Sequence, residues 1–285
     1  MAPYAIMGVV NVTPDSFSDG GRFAGAAEAI AHAARLVEEG AAIVDVGGES
    51  TRPGSDPVPV AEELERVVPV VEGVAALGTG ARVSVDTMKL AVAEAAVAAG
   101  ATYVNDVSAF RHDPGLAGLV TDRGLDCCLM HMLGEPRTMQ IEPRYDDVVS
   151  DVKAFLEERL AFAVSEGVRE ERIMLDPGIG FGKNLDHNLE LLNRLGELTT
   201  LGRPLVLGVS RKSFIGRITG RDVSERAVGT AAVNVLAYER GARVFRVHDV
   251  AVTHDALAMA TATLAGRWPA TATATKTTTS TTTTS

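Results

Sequence analysis

The chain has 285 residues, 46% hydrophobic and 22% charged, with a formal net charge of -10. That is ordinary globular composition, long enough for one large domain or two small ones. The acidic balance argues against a nucleic-acid groove or an anionic membrane surface, and no apolar run approaches the roughly 20 residues of a spanning helix. The first apolar stretch, with Ile6, Val9, Val10 and Val12, reads as a buried strand. It changes to loop chemistry at Asn11 and at Pro14-Asp15-Ser16 before Gly20-Gly21, yet this loop carries an aromatic residue, Phe17. A large ring on a polar, glycine-hinged loop reads as a lid.

The pattern then repeats. A helix is predicted over 26–39, with Ile30, Ala33, Ala34 and Val37 on one face, and Gly40 stops it. A strand over 41–46 leads into Gly48-Glu49-Ser50-Thr51-Arg52-Pro53-Gly54. A helix over 61–77 contains Pro69 as a candidate kink. Further strands are predicted over 83–87, 103–107, 127–130, 172–176, 205–208 and 244–247. The helices between and after them span 90–99, 115–123, 147–166, 185–195, 225–238 and 252–264. Residues 269–285 are one Pro followed by Thr, Ser and Ala with one Lys, carry no apolar periodicity, and are expected to be disordered.

Alternating strands and helices with near-continuous apolar strands imply an α/β fold with a parallel sheet covered on both faces. Roughly eight such units fit a single-domain (β/α)8 barrel over 1–268. A doubly wound open sheet is the alternative, but it gathers ligand groups at one switch point, whereas here nearly every strand ends in polar residues. The sequence Met1-Ala2-Pro3-Tyr4 has no basic region and no cleavage pattern, which points to a cytoplasmic protein. Cys127-Cys128, adjacent in an apolar run, read as reduced buried thiols rather than a disulfide or metal pair.

On a barrel, strand C-termini converge on one mouth. Ten polar residues occupy such positions: Asn11, Thr51, Arg52, Asp86, Asn105, His131, Asp176, Lys212, Arg246 and His248. A strand-end Asp alone is more often a helix N-cap, but ten groups at one relative position are not explained as caps. Asp86, Asn105, Asp176 and Lys212 combine donors and acceptors in a way that suits a flat amino-oxo heterocycle. Arg246 could lie against its face. Asn11, Thr51, Arg246 and His248 suit phosphate and a hydrated Mg2+; an ion-paired rim formed with Asp249 is the bland reading of Arg246 and His248. Gly178-Ile179-Gly180-Phe181-Gly182-Lys183 is not a Walker loop, because Asn184 stands where Ser or Thr is needed. It reads as a glycine-rich turn that lets the backbone approach a ligand. No His pair has zincin spacing, and Ser210 and Ser213 lack a nucleophile elbow.

Together, Asn11-Val12-Thr13-Pro14-Asp15-Ser16-Phe17-Ser18-Asp19-Gly20-Gly21, Gly48 to Gly54, Asn105-Asp106-Val107, Met130-His131-Met132, Asp176 to Lys183, Ser210-Arg211-Lys212-Ser213 and Arg246-Val247-His248-Asp249 closely resemble the dihydropteroate synthase family. They run in family order over all but the tail. The resemblance implies a cytoplasmic, homodimeric, sulfonamide-sensitive transferase of folate synthesis. Such an enzyme joins 6-hydroxymethyl-7,8-dihydropterin diphosphate to p-aminobenzoate and releases diphosphate, with Mg2+ as cofactor and neither nucleic acid nor membrane as partner. It assigns Asn11 to Mg2+, and Thr51, Asp86, Asn105, Asp176, Lys212, Arg246 and His248 to the pterin diphosphate. Phe17, Ser18, Pro53, Lys212 and Ser213 go to p-aminobenzoate. Asp86, Phe17, Asp19, Arg52 and Pro53 fall at the reacting centre, the last four and Ser18 on two mobile loops. Family members often carry extra residues ahead of the first strand, covering the barrel floor; their lack here bears on stability rather than chemistry.

Two rivals share parts of this pattern. One is a pterin-barrel methyltransferase serving a cobalt corrinoid, which should lack the lid and the Ser-Arg-Lys-Ser segment. The other is a non-catalytic pterin-binding paralogue. If the lid reading is right, Phe17→Leu weakens p-aminobenzoate and sulfonamide binding several-fold in equilibrium titrations and spares pterin binding. Loss of pterin binding would overturn it.

Overall fold

Strands whose side chains are apolar on both faces must be covered on both faces, and in this chain they close on themselves. The computed structural model describes residues 3–12, 21–51 and 54–267, without the side chains of 21–24. Phe17, Ser18, Asp19, Arg52, Pro53 and the tail lie outside the described residues. The elements in chain order are β1 (Ala5–Asn11), α1 (Gly21–Glu38), β2 (Ile43–Gly47), α2 (Val60–Ala76), β3 (Arg82–Asp86), α3 (Leu90–Ala98), β4 (Tyr103–Asp106), α4 (Gly115–Arg123) and β5 (Asp126–Met130). They continue with α5 (Val148–Ser165), β6 (Ile173–Asp176), α6 (Leu185–Asn193), β7 (Leu205–Leu207), α7 (Ser213–Thr219), α8 (Ala227–Glu239), β8 (Ala242–Val247) and α9 (Val250–Ala265).

The sheet is a closed barrel in the order β1 to β8. The closing pair is parallel β1 on β8, with Ala5 opposite Val244 and Gly8 opposite Val247. That pairing removes the doubly wound alternative, which needs two free edges. Element ends fall within a few residues of the sequence expectation, except that α1 begins at Gly21. The short helix α7 begins at Ser213, after β7. Phe214 and Ile215 are buried on it, and Gly220 ends it in the left-handed region at φ 71°. α2 runs through Pro69 on its exposed side, where a missing amide costs least.

Strand side chains alternate between two environments. Outward residues pack against the helices in the main core, among them Ile6, Val10, Val44, Val46, Val83, Val85, Leu129 and Leu175. Inward residues of the lower barrel form a separate apolar plug of Met7, Ile43, Tyr103, Cys128, Val206 and Val244. Two positions further along the same strands stand Asp45, Asn105 and Arg246. The barrel is therefore dry and apolar below and polar above. Both cysteines are free and buried, and burial pushes both thiols well up, as inert reduced groups require.

The inner stripe of α1 is centred differently from the expected one. Ala29, Ala33 and Leu36 are buried, while Ile30, Ala34 and Val37 flank them. The cause is Gly8 on β1. A Cβ there would meet Leu36 Cδ1 at 3.0 Å, so Leu36 fills the notch that the glycine leaves. Leu36→Ala should lower the unfolding free energy by about 2–5 kcal/mol, read from denaturant unfolding.

Candidate active site

The polar tier is built around Asp45, a carboxylate with 0% exposure in the middle of the apolar strand β2. It accepts a hydrogen bond from the Ser84 hydroxyl at 2.5 Å and from Asn105 Nδ2–H at 3.0 Å. Arg246 Nε–H donates to it at 2.6 Å, and Arg246 Nη2–H donates to Asp86 Oδ2 at 2.6 Å. One guanidinium from β8 thus joins β2 to β3 across the barrel interior. Burial works against this charge, yet Asp45 and Asp86 hold Arg246 above the usual arginine value. Asp45 was missed in the sequence reading. The available signal was a carboxylate inside Ile43-Val44-Asp45-Val46, where an unpaired charge could not be buried.

Asp176, at the end of β6, accepts from the Gly178 N–H at 2.7 Å. A Cβ on Gly208 would lie 3.7 Å from Asp176 Oδ2 and 4.0 Å from Lys212 Nζ, so these two groups meet over the same glycine. Lys212 donates to the Ile179 carbonyl and stands 4.5 Å from the Phe181 ring centroid. Burial pulls the Lys212 ammonium down to about 8, with Asp176 opposing. Burial also raises Asp176, against the pull of Lys212. Asp86, Asn105, Asp176, Lys212 and Arg246 are thus brought together in the upper barrel.

The rim groups are placed by strand ends and short loops. Asn11 is half-buried at the end of β1, opposite Gly47 in register. A Cβ on Gly47 would meet Asp86 Cβ at 3.3 Å, so the glycine leaves the space between Asn11 and Asp86 open. Thr51 is half-buried on the β2–α2 loop. His248 follows β8; its backbone N–H donates to Ser210 Oγ at 3.1 Å, and its Nδ1 lies 3.0 Å from the same oxygen. Asp249 accepts from Arg211, at 2.9 and 2.5 Å, while Arg246 is held by Asp45 and Asp86. Ser213 is exposed at the start of α7.

His131 belongs to the wall of the site rather than its mouth. Its ring packs edge-on to Phe155 at 4.8 Å, and Nδ1 lies 2.8 Å from Lys183 Nζ. Burial, with Lys183 adding, pushes His131 down to about 2, so it stays neutral. Lys183 also donates to the Gly178 and Phe181 carbonyls at 2.9 and 3.1 Å. It curls the glycine-rich turn, whose Ile179 carbonyl and Phe181 ring then hold Lys212. This positioning role was not legible from the motif. Gly178 is required by the same packing: its φ is +67°, and a Cβ would come within 1.8 Å of the His131 carbonyl oxygen.

Burial is the largest influence on Asp86 and raises it to about 7, with Arg246 opposing and the Asp45 charge adding. The folded state therefore keeps a proton that the unfolded chain releases near 3.8. The resulting stability is fully present below pH 3.8 and is lost as pH rises through about 7. Asp86→Asn should flatten this dependence. The drop in unfolding free energy from pH 5 to pH 8 should shrink by at least about 1 kcal/mol relative to wild type, measured by urea unfolding.

Comparison with known proteins agrees with this geometry. The model of the pterin binding enzyme family matches residues 7–248. A dihydropteroate synthase of Escherichia coli K12 is 46% identical over 262 residues, 92% of each chain. A Xanthomonas albilineans dihydropteroate synthase solved with 4-aminobenzoic acid superposes with a TM-score of 0.86 at 49% identity, covering 92% of this chain and 93% of that one. A structure of the synthase from the same organism, in complex with 7,8-dihydropteroate, gives a TM-score of 0.82 at 46% identity, covering 92% and 94%. The chain belongs to the pterin-binding enzyme family and, within it, to the dihydropteroate synthases.

Proposed function

We propose that this protein condenses 6-hydroxymethyl-7,8-dihydropterin diphosphate with p-aminobenzoate, giving 7,8-dihydropteroate and diphosphate. The observation that carries this reading is the polar tier above the apolar plug. Asp176, Asn105 and Lys212 there offer acceptors and donors to the edge of an amino-oxo ring, and Arg246 and Asp86 lie beside them. Asn11, Thr51 and His248, each half-buried at or just past a strand end, are assigned to the diphosphate and its Mg2+.

The reaction breaks the bond between the pterin methylene carbon and a diphosphate oxygen. It forms a carbon–nitrogen bond and releases one proton from the amine. The amine is neutral at pH 7, so no strong base is required, and the neutral buried His131 is not asked to serve as one. We read the step as a dissociative displacement. Arg246 and His248 donate to the departing oxyanion, and Thr51 adds a hydroxyl. Asp86 lies where positive charge develops on the methylene, and a carboxylate that ionises near pH 7 can provide the counter-charge there. Lys212 and Ser213 would receive the carboxylate end of p-aminobenzoate. Phe17, Ser18, Asp19, Arg52 and Pro53 are read as closing over that second substrate and excluding water.

Among the described residues no cluster of three or more His, Cys, Asp or Glu could hold a metal ion. The open rim between Asn11 and Asp86 instead offers one neutral oxygen. Such a donor fits Mg2+ shared with substrate phosphate oxygens and water. Asn11 is therefore the group that would hold it, and the bound ion would offset the charge of the leaving diphosphate. A cytoplasmic homodimer is part of the same reading. The exposed apolar side chains Val228 and Leu236 of α8, and Met259 and Leu264 of α9, are what a second copy would cover. Sulfonamides would compete for the p-aminobenzoate site.

The test is diphosphate release from the pterin diphosphate on adding p-aminobenzoate. Release that requires both substrates supports the reading; tight pterin binding without release would make the protein a binding paralogue. Lys212→Ala should raise the pterin Kd about ten- to a hundredfold in calorimetric titration, as loss of a hydrogen bond from a charged donor implies.

A further inference from the structure

We propose that Lys89 is a positioning residue for the second substrate: it holds both ends of the β2–α2 loop on one ammonium and so fixes how that loop is presented at the barrel mouth. The inference deepens the proposed synthase reading and rests on it for the identity of that substrate.

Lys89 lies just before α3, in extended backbone. An ammonium has three protons to donate. Those of Lys89 go to Glu49 Oε2 at 2.8 Å, Glu63 Oε2 at 2.5 Å and the Val58 carbonyl at 2.6 Å. The other oxygen of Glu49 accepts from the Val58 N–H at 3.0 Å, and the other oxygen of Glu63 accepts from the Thr87 hydroxyl at 2.7 Å. Glu63 has 0% exposure. Burial works against the Lys89 charge, but the bonds to Glu49 and Glu63 outweigh it and raise the ammonium above its usual value.

A plain structural ion pair would need only Glu63, which ties α2 to the start of α3. Here two of the three protons go to the loop, one at Glu49 near its beginning and one at Val58 near its end. Glu49 and Val58 also bond each other, so the two ends are cross-tied. The loop start is pressed down as well. A Cβ on Gly48 would meet Val67 Cγ2 at 2.7 Å and Glu63 Cγ at 3.1 Å. Arg66 Nη1–H donates to the Gly48 carbonyl at 2.7 Å. The described part of the span between the ends has lighter ties: Ser55 to Ser50 at 3.0 Å, and the Gly54 N–H to the Pro136 carbonyl at 3.3 Å. Thr51, Arg52 and Pro53 sit in that span. Fixed ends limit the positions open to the residues between them. Of the pterin ring groups, Asn105, Asp176, Lys212 and Arg246 come from β4, β6, the turn after β7 and β8, away from the clasp, and Asp86 at the end of β3 adjoins it only through Thr87.

The experiment uses the full chain and three variants. Glu49→Gln keeps the acceptor for the Val58 N–H but removes one charge partner of Lys89, leaving the buried Glu63–Lys89 pair intact. Lys89→Met removes the whole clasp, and Lys89→Arg restores a cation. Thermal melting first establishes which variants are folded. Glu49→Gln and Lys89→Met are expected to raise KM for p-aminobenzoate tenfold or more. The Kd for 6-hydroxymethylpterin, which lacks diphosphate, should stay within twofold of wild type. Lys89→Arg should recover most of the KM. Hydrogen exchange should speed up over residues 49–58 in the first two variants. An unchanged KM in folded Glu49→Gln, or an equal loss of pterin affinity, overturns the proposal. A wild-type protein that gives no turnover while exchange over 49–58 still responds to the variants would sink the synthase reading and leave the clasp standing.

Discussion

The guanidinium of Arg246, held between Asp45 and Asp86, is the interaction on which the upper barrel depends. It is bought at a desolvation cost that a bare ion pair would not recover. The cost is met because Asp45 also accepts from Ser84 and Asn105, so its charge is spread over three donors. The network spans β2, β3, β4 and β8. It therefore fixes how four strands present their ends to the mouth, and it holds side chains in place before any ligand arrives. Preorganisation of this kind is what lets a polar cavity recognise a flat ring without reorganising around it.

Beneath that network the apolar plug serves a different purpose. Met7, Ile43, Tyr103, Cys128, Val206 and Val244 close the lower cylinder, so the polar tier has a low-dielectric floor. That floor is why Asp86, Asp176 and Lys212 are displaced toward their neutral forms. Three carboxylates and two cations share the cavity. With Asp86 raised to about 7, the resting site can hold one proton and approach balance near neutral pH.

The loops are held by basic side chains outside the proposed ring-binding set. Lys183 folds the glycine-rich turn from behind, Lys89 ties the β2–α2 loop, and Arg211 with Asp249 braces the turns after β7 and β8. Lys183 bonds His131 and two backbone carbonyls, Lys89 bonds Glu49, Glu63 and one carbonyl, and Arg211 bonds Asp249, so each positions a loop. The division explains why basic residues crowd the mouth although only Lys212 and Arg246 lie in the proposed ring-binding set.

Alternation of strand and helix, with polar residues at successive strand ends, was enough to specify the barrel and to pick out Asp86, Asn105, Asp176, Lys212 and Arg246. Period-two burial is local, and a residue's place at a strand end can be read along the chain. Asp45, Lys183 and Lys89 could not be identified that way. Their roles depend on partners 201, 52 and 40 residues away, brought close only when the cylinder closes. The centre of the α1 stripe was likewise set by Gly8 on another element. Sequence thus determined which residues face inward and where the polar groups lie along each strand. Tertiary structure decided which charges neutralise one another, because pairing in a low-dielectric interior depends on distances that closure alone creates.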